Sequence, residues 1–198
     1  MERGICVAEL ECGHKPLDCK KCDEMGEAMS ETRIREAIET LSAAITADPG
    51  KAAARHAPAT ARLTEGLQCT LSGPHGERVL TDMPPAMGGA ASGPNPGWLL
   101  RGALASCTAT VIAMRAAKLG IRLDTLEVIV ESEGDNRGLL GLDEGVSAGL
   151  GAVRTKVKIA GDAPAATLRD LVAWADAHSP VACTVRQPPK CALQIEIV

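Results

Sequence analysis

The longest regular hydrophobic pattern in the chain lies between residues 96 and 119, where apolar side chains recur at intervals of three and four positions. This spacing predicts a helix with one apolar face. The predicted face consists of Leu100, Ala103, Leu104, Cys107, Val111 and Met114. Asn95 is suited to cap the first turn, Pro96 to the first helical position and Gly120 to the position after the last turn. Cys107 is therefore expected to point into a core or a dimer seam.

A second helical pattern covers residues 30–47 and predicts a helix that docks on the main domain or on a partner subunit. Its apolar positions are Ile34, Ile38, Leu41 and Ile45. Asp48-Pro49-Gly50 ends the pattern, and the following residues, rich in Ala, Pro and charge, predict a linker. We therefore assign residues 30–59 to a helix and linker, and residues 60–198 to the main domain.

From Thr60 onward the apolar positions alternate with a period of two, which is typical of strands. The predicted strands cover residues 63–71, 78–81, 126–131, 153–159 and 193–197, and a glycine-rich loop covers 134–151. A second long helix is expected to begin at Pro164 and to end before Pro180. Two groups of strands around two long helices indicate an α+β fold with antiparallel sheets.

The composition narrows the class of protein further. The chain has 198 residues, 45% of them hydrophobic, with no Phe or Tyr and a net charge of −4, so its core is built from aliphatic side chains and nucleic-acid binding is not expected. The most apolar helix carries Arg101, Arg115 and Lys118, which argues against a membrane span. No apolar run follows Met1 to predict a signal peptide, and a cytoplasmic location with eight reduced cysteines is expected.

Residues 1–29 form a cysteine-rich segment without an apolar period. Cys19 and Cys22 make a CxxC pair that could chelate a metal, and Cys12 and His14 would complete a tetrahedral zinc site, with Cys6 as an alternative ligand. Zinc would hold together a segment that has no core of its own. Two other interpretations stay open: a tail with incidental thiols, and a redox-active CxxC.

From residue 60 onward the chain resembles the OsmC/Ohr family, which contains thiol-dependent reductases of organic hydroperoxides and less characterised OsmC-like relatives. The shared features are a hairpin, a Gly-Gly loop, an Asn-Pro start to a cysteine-bearing helix, and a His-Ser-Pro-Val run after the second helix. The matching segments are residues 88–89, 93–96, 99–100, 103–108, 135–138 and 178–181.

The resemblance implies an intertwined homodimer, with the two long helices packed centrally and sites at the subunit interface. It places the peroxidatic cysteine at Cys107. An arginine near the first hairpin, here Arg62, would keep the sulfur ionised, and Arg137 and Arg186 are candidate replacement cations. The glutamate that holds this arginine in the family is replaced by Gly97, and the resolving cysteine by Ser179. Cys183, four residues later, either resolves Cys107 or is a core cysteine at the start of a strand.

Together, these expectations predict that the chain is a redox protein of the stress response and that it needs no cofactor. Cys107 would be oxidised by a small apolar hydroperoxide to a sulfenic acid, and then be resolved by Cys183 or by an external thiol. The alternative is a non-catalytic protein of the same fold that binds a small molecule without chemistry, because the family's full set of site residues is incomplete.

Overall fold

The structure of the protein is a computed structural model that describes residues 20–197, with side chains from Glu31 onward. Five helices and five strands make up this part of the chain. In chain order they are α1 (Lys20–Ala47), β1 (Thr60–Glu65), β2 (Gln68–Ser72), β3 (Arg78–Thr81), α2 (Pro96–Leu119), β4 (Leu123–Ser132), α3 (Asn136–Leu139), β5 (Val153–Gly161), α4 (Ala165–His178) and α5 (Pro180–Arg186). The α+β class with antiparallel sheets, predicted from the sequence, is confirmed.

The helix predicted for residues 30–47 begins ten residues earlier, at Lys20, so its predicted start was wrong. Residues 20–29 have no apolar period, but they contain no proline to interrupt a helix that continues into a well-formed segment. The predicted end is confirmed at Ala47, where Asp48 follows and caps a short 3₁₀ turn by accepting a hydrogen bond from the Gly50 backbone N–H. α1 packs against α2.

The first sheet has the order β1-β2-β3, and both of its strand pairs are antiparallel. The single strand predicted for residues 63–71 is in fact two strands joined by a tight turn. Gly66 makes this turn with a φ of +54°, a left-handed conformation that glycine adopts without steric cost. Thr60 therefore pairs with Ser72, and β2 lies between β1 and β3.

Helix α2 begins and ends where the sequence predicts, with Asn95 as the N-cap and Gly120 after the last turn. Of the predicted apolar face, however, only Leu104 is fully buried. The buried residues are Leu104, Thr108, Ile112, Ala116 and Ala117. Leu100 and Met114 of the predicted face are 45% and 42% exposed, so the buried stripe is rotated by about 100°, one residue, around the helix axis.

The core lies between α2, α4 and the second sheet, in which β4 and β5 form an antiparallel pair. Its buried members are Ile112, Ala116, Ile121, Leu168, Leu171 and Ala175. Val128 and Val157 face each other across the two strands and pack against this cluster. Within residues 20–197, α2 is the one helix long and apolar enough to span a membrane by length and composition. It packs against α4 and β4.

The end of the described chain differs most from the prediction. Cys183 does not lie at the start of a strand but in α5, which Ser179 caps by accepting a hydrogen bond from the Ala182 backbone N–H. The strand predicted for 193–197 is absent from the described residues, because none of the described strands pairs with this stretch. Leu193, Ile195 and Ile197 are therefore exposed.

Candidate functional site

The amino end of α2 fixes the position of Cys107 in the fold. The Asn95 side chain accepts a hydrogen bond of 2.8 Å from the Trp98 backbone N–H, and Pro96 occupies the first turn. Cys107 follows on the same rigid helix, about three turns farther along. It is half-buried, on the edge between the buried stripe of α2 and its exposed face. The sulfur is therefore held by a helix and not by a loop.

A buried carboxylate, Asp82, organises the loop that leads into α2. Only 2% of its surface is exposed. It accepts hydrogen bonds from the backbone N–H groups of Met83, Ala90 and Ser92 at 2.7, 3.0 and 3.1 Å, and from Ser92 Oγ at 2.8 Å. The bonds from Ser92 do most to hold the pKa of Asp82 below its ordinary value. Gly89 is required here because a Cβ would overlap the Met83 carbonyl oxygen.

This loop and the start of α2 line an open pocket of about 310 Å³. Its walls are formed by Asp82, Pro84, Ala91, Gly93, Pro94, Asn95 and Trp98. The hydrogen bonds of Asp82 and the cap of α2 therefore shape the same concave surface. Sequence reasoning noted the Gly-Gly pair in this loop but missed Asp82, whose position directly after β3 was the available signal.

The polar neighbour of Cys107 in this chain is a serine. Ser179 Oγ donates a hydrogen bond of 3.3 Å to Cys107 Sγ, and Ser179 is fully buried between α4 and α5. The same oxygen accepts the 3.4 Å hydrogen bond from the Ala182 backbone N–H that caps α5. The structure thus brings together Cys107 and Ser179, the two residues that the resemblance assigns to the peroxidatic and the resolving position.

Cys183 has a different environment from Cys107. Its thiol donates a hydrogen bond of 3.3 Å to the Ala177 carbonyl oxygen and lies 3.6 Å from Nη2 of Arg186. Arg186 donates two hydrogen bonds to Asp176. Its Nη1 lies 2.9 Å from the Asp176 Oδ2 atom, and its Nη2 lies 2.6 Å from the Asp176 backbone carbonyl oxygen. The carboxylate raises the pKa of this guanidinium above its ordinary value. A cation therefore lies beside Cys183.

The structure does not bring Arg62 and Cys107 into hydrogen-bonding contact. Arg62 is exposed on β1, where its backbone pairs with Thr70. Among the side chains that the structure describes, residues 31–197, no Arg or Lys donates a hydrogen bond to Cys107 Sγ. Arg137, in a segment that matches the family pattern, binds Asp135 instead, at 2.6 Å. The role predicted for Arg62 stays a prediction.

An aromatic cluster holds the end of α4 against α2. The guanidinium of Arg115 lies 4.4 Å from the centre of the Trp174 ring, and the His178 ring stacks on the same indole at 4.0 Å. His178 Nδ1 also lies 2.7 Å from the Trp174 carbonyl oxygen. Because Ser179 directly follows His178, this cluster fixes the hydroxyl that faces Cys107.

The predicted zinc site falls mostly outside the described residues. Cys12, His14 and Cys19 lie in the part of the chain that is not described, and Cys22 is placed only through the backbone of α1. In the described part of the chain, no group of three or more His, Cys, Asp or Glu side chains is arranged to hold a metal ion. Zinc binding by residues 1–29 remains a prediction.

A comparison with protein families identifies the chain. The family model described as OsmC-like protein matches residues 89–194, which include the second half of the loop before α2, all of α2, and Ser179. The chain belongs to the OsmC-like family. The resemblance predicted from the Gly-Gly loop, the Asn-Pro start of α2 and the His-Ser-Pro-Val run is therefore confirmed.

Solved structures show that the OsmC-like fold extends over most of the chain. An OsmC-like protein from Mycoplasma pneumoniae is 17% identical, with a TM-score of 0.59, over 69% of this chain and 91% of that one. An organic hydroperoxide resistance protein OsmC from Legionella pneumophila is 21% identical, with a TM-score of 0.54, over 68% and 92%. One from Elizabethkingia anophelis is 19% identical, with a TM-score of 0.54, over 69% and 91%. No curated protein matches the chain.

Proposed function

We propose that this OsmC-like protein reduces organic hydroperoxides through Cys107, with an external thiol as the reductant. Family membership supports a stress-related redox role, and two proteins of the same fold are named for organic hydroperoxide resistance. The observation that carries the proposal is the hydrogen bond from Ser179 Oγ to Cys107 Sγ. It supplies a buried donor to the sulfur that the resemblance assigns as the reacting one.

The proposed reaction begins with the Cys107 thiolate, because the thiolate and not the thiol is the nucleophile. Its sulfur attacks the outer oxygen of the hydroperoxide, so that an S–O bond forms and the O–O bond breaks. The alkoxide that leaves takes up a proton and becomes an alcohol. The sulfur is oxidised by two electrons to a sulfenic acid, the first and reversible stage of cysteine oxidation.

The test of this proposal is to trap the oxidised sulfur. When one equivalent of cumene hydroperoxide is added without reductant, we expect stoichiometric loss of the peroxide and a dimedone adduct on Cys107, read by mass spectrometry of the peptides. Cys191, which is exposed in the same chain, serves as the internal comparison. Equal labelling of Cys107 and Cys191 would mean unspecific oxidation and would contradict the proposal.

We also propose that the protein is a homodimer, with the exposed face of α2 in the subunit interface. Leu100 and Met114 are large apolar side chains left nearly half exposed in the single chain, and Cys107 lies between them at heptad spacing. A soluble protein rarely leaves such a helix face uncovered. Cys107 would then lie at the interface, where a second chain can supply the cation that the described residues do not place beside it.

The dimer predicts a mass of twice 20.5 kDa in light scattering after gel filtration. Met114→Glu should shift this mass to that of one chain, because a carboxylate buried against the apolar partner face is costly. Met114→Leu is the matched control and should stay dimeric, since it conserves volume and polarity. A wild-type mass of one chain at micromolar concentration would rule out the interface.

A second candidate function is non-catalytic binding of an apolar small molecule. It is favoured by a cavity of about 410 Å³ between β5 and α4, which lies within the size range of ligand pockets. Apolar side chains such as Val157, Ile159, Leu168 and Val172 line it. The dimedone experiment separates the two functions, because a binding protein would leave the hydroperoxide unconsumed.

We also propose that the protein works in the cytoplasm, without a cofactor for the peroxide chemistry. Residues 1–29 would bind zinc through Cys12, His14, Cys19 and Cys22, in keeping with the ligand types of structural zinc sites.

A further inference from the structure

Ser179 has a hydroxyl whose two hydrogen bonds are both assigned by the structure. A serine hydroxyl has one proton to donate and lone pairs to accept with. The oxygen accepts the Ala182 backbone N–H of α5 at 3.4 Å, so the proton is left for Cys107 Sγ at 3.3 Å. Ser179 is fully buried, and water does not compete for this proton. The hydroxyl is therefore a dedicated donor to the sulfur.

The residues on both sides of Ser179 make contacts of their own. On one side His178 stacks on Trp174, which is itself covered by Arg115 of α2, and on the other Pro180 begins α5. Arg115 lies eight residues after Cys107 on the same helix, so the cluster ties Ser179 to the element that carries the sulfur. A donor fixed in this way strengthens when its acceptor becomes charged, because hydrogen bonds to ionised groups are stronger than neutral ones.

The Cys183 thiol is engaged by contacts with residues other than Cys107. It lies one turn beyond Ser179 in α5, where its backbone N–H bonds to the Ser179 carbonyl oxygen at 2.9 Å. Its thiol faces the Ala177 carbonyl oxygen, and the guanidinium of Arg186 lies on it. To reach an oxidised Cys107, the thiol would have to leave both contacts.

We infer that Ser179 is a positioning residue that orients and stabilises the charged Cys107 sulfur, and that oxidised Cys107 is reduced by an external thiol without an internal disulfide. This inference rests on the proposed function. A hydroxyl cannot form a disulfide, so the sulfenic acid persists until a reductant thiol attacks its sulfur. An S–S bond then forms, the S–O bond breaks, and the oxygen leaves as water. A second thiol attacks the mixed disulfide, which frees Cys107 and oxidises the reductant.

The first test measures the reactivity of Cys107 and needs no peroxide. Ser179→Ala should slow the alkylation of Cys107 by iodoacetamide about tenfold at pH 7 and move the pH dependence of the rate to higher pH. A tenfold effect is the size expected when a charged group loses one hydrogen bond. The peptide carrying Cys107 is followed by mass spectrometry. Ser106→Ala is the matched control, because Ser106 is the neighbour of Cys107 but donates to the Ala103 carbonyl oxygen. An unchanged profile in Ser179→Ala would overturn the positioning role.

The second test identifies the product of oxidation. After one equivalent of cumene hydroperoxide, the wild type should keep Cys183 free and carry a dimedone-reactive Cys107. Ser179→Cys should instead lose two hydrogens and form an internal disulfide with Cys107, because the two side-chain atoms are already in contact. An internal Cys107–Cys183 disulfide in the wild type would overturn the inference. A wild type that consumes no hydroperoxide would defeat the proposed function and the external-reduction step, while the alkylation test would still decide the positioning role.

Discussion

A Cys107→Ser variant is expected to lose all turnover of an organic hydroperoxide in the presence of a dithiol. The serine hydroxyl stays protonated at neutral pH and is a weak nucleophile without an adjacent base, so it cannot replace the thiolate that attacks the peroxide. The rate of peroxide loss with dithiothreitol should fall to that of the reaction without protein. Far-ultraviolet circular dichroism of both proteins checks that the fold survives, which we expect because Ser is close to Cys in size.

The control for this loss is Cys191→Ser, which removes a thiol from an exposed position outside the helices. It should leave the turnover unchanged. If Cys107→Ser turned over peroxide as fast as the wild type, the reacting sulfur would have to lie elsewhere, and the Ser179 contact would be a packing contact only. If both variants lost activity, the loss would be due to a damaged fold and not to the removal of a particular sulfur.

The elements that the sequence predicted well are those whose signals are local. The limits of α2 follow from Asn95, Pro96 and Gly120, and each makes the contact that its residue type predicts. The strands β4 and β5 were predicted from their period-two alternation. They are consecutive strands, and they pair antiparallel with each other. Short-range chemistry determines all of these features.

The predictions that failed needed information from outside the local sequence. Apolar and small residues surround most of α2, so its spacing did not distinguish the face with Ile112 from the face with Met114. Which face is buried depends on where α4 and β4 pack. Cys183 differs, because Ser179-Pro180 is a strong local helix start, and the alternative that Cys183 begins a strand did not use this signal.

The site was predictable only in part. Cys107 could be found because the family motif surrounds it directly, but its contact with Ser179 joins residues 72 positions apart. Spacing along the chain contains no signal for such a contact, although the family pattern placed Ser179 where a resolving cysteine is expected. Asp82 was missed because a single aspartate after a strand is common, and only the folded loop shows its four donors.

The largest effect on stability is expected from Asp82→Ala. The variant leaves three backbone N–H groups and the Ser92 hydroxyl without their acceptor in a buried loop, and unsatisfied buried donors are costly. The midpoint of thermal unfolding should fall by roughly 5–10 °C, given the usual conversion for a domain of this size. Scanning calorimetry at pH 7 measures it, with Asp170→Ala, an exposed aspartate on α4, as the matched control. A difference between the two variants below about 1 °C would contradict the role of Asp82.

The pH dependence of the stabilisation by Asp82 tests whether this stabilisation is electrostatic. The pKa of Asp82 is lowered in the folded state, mainly by the hydrogen bonds from Ser92, so the folded protein favours the charged form. Its contribution is fully present above the unfolded pKa of about 4 and is lost as the pH falls through the lower folded pKa. The difference in unfolding midpoint between the wild type and Asp82→Asn should therefore be constant from pH 7 to pH 5 and shrink below pH about 4. A difference that stays constant down to pH about 2 would mean that shape, and not charge, makes Asp82 the centre of this loop.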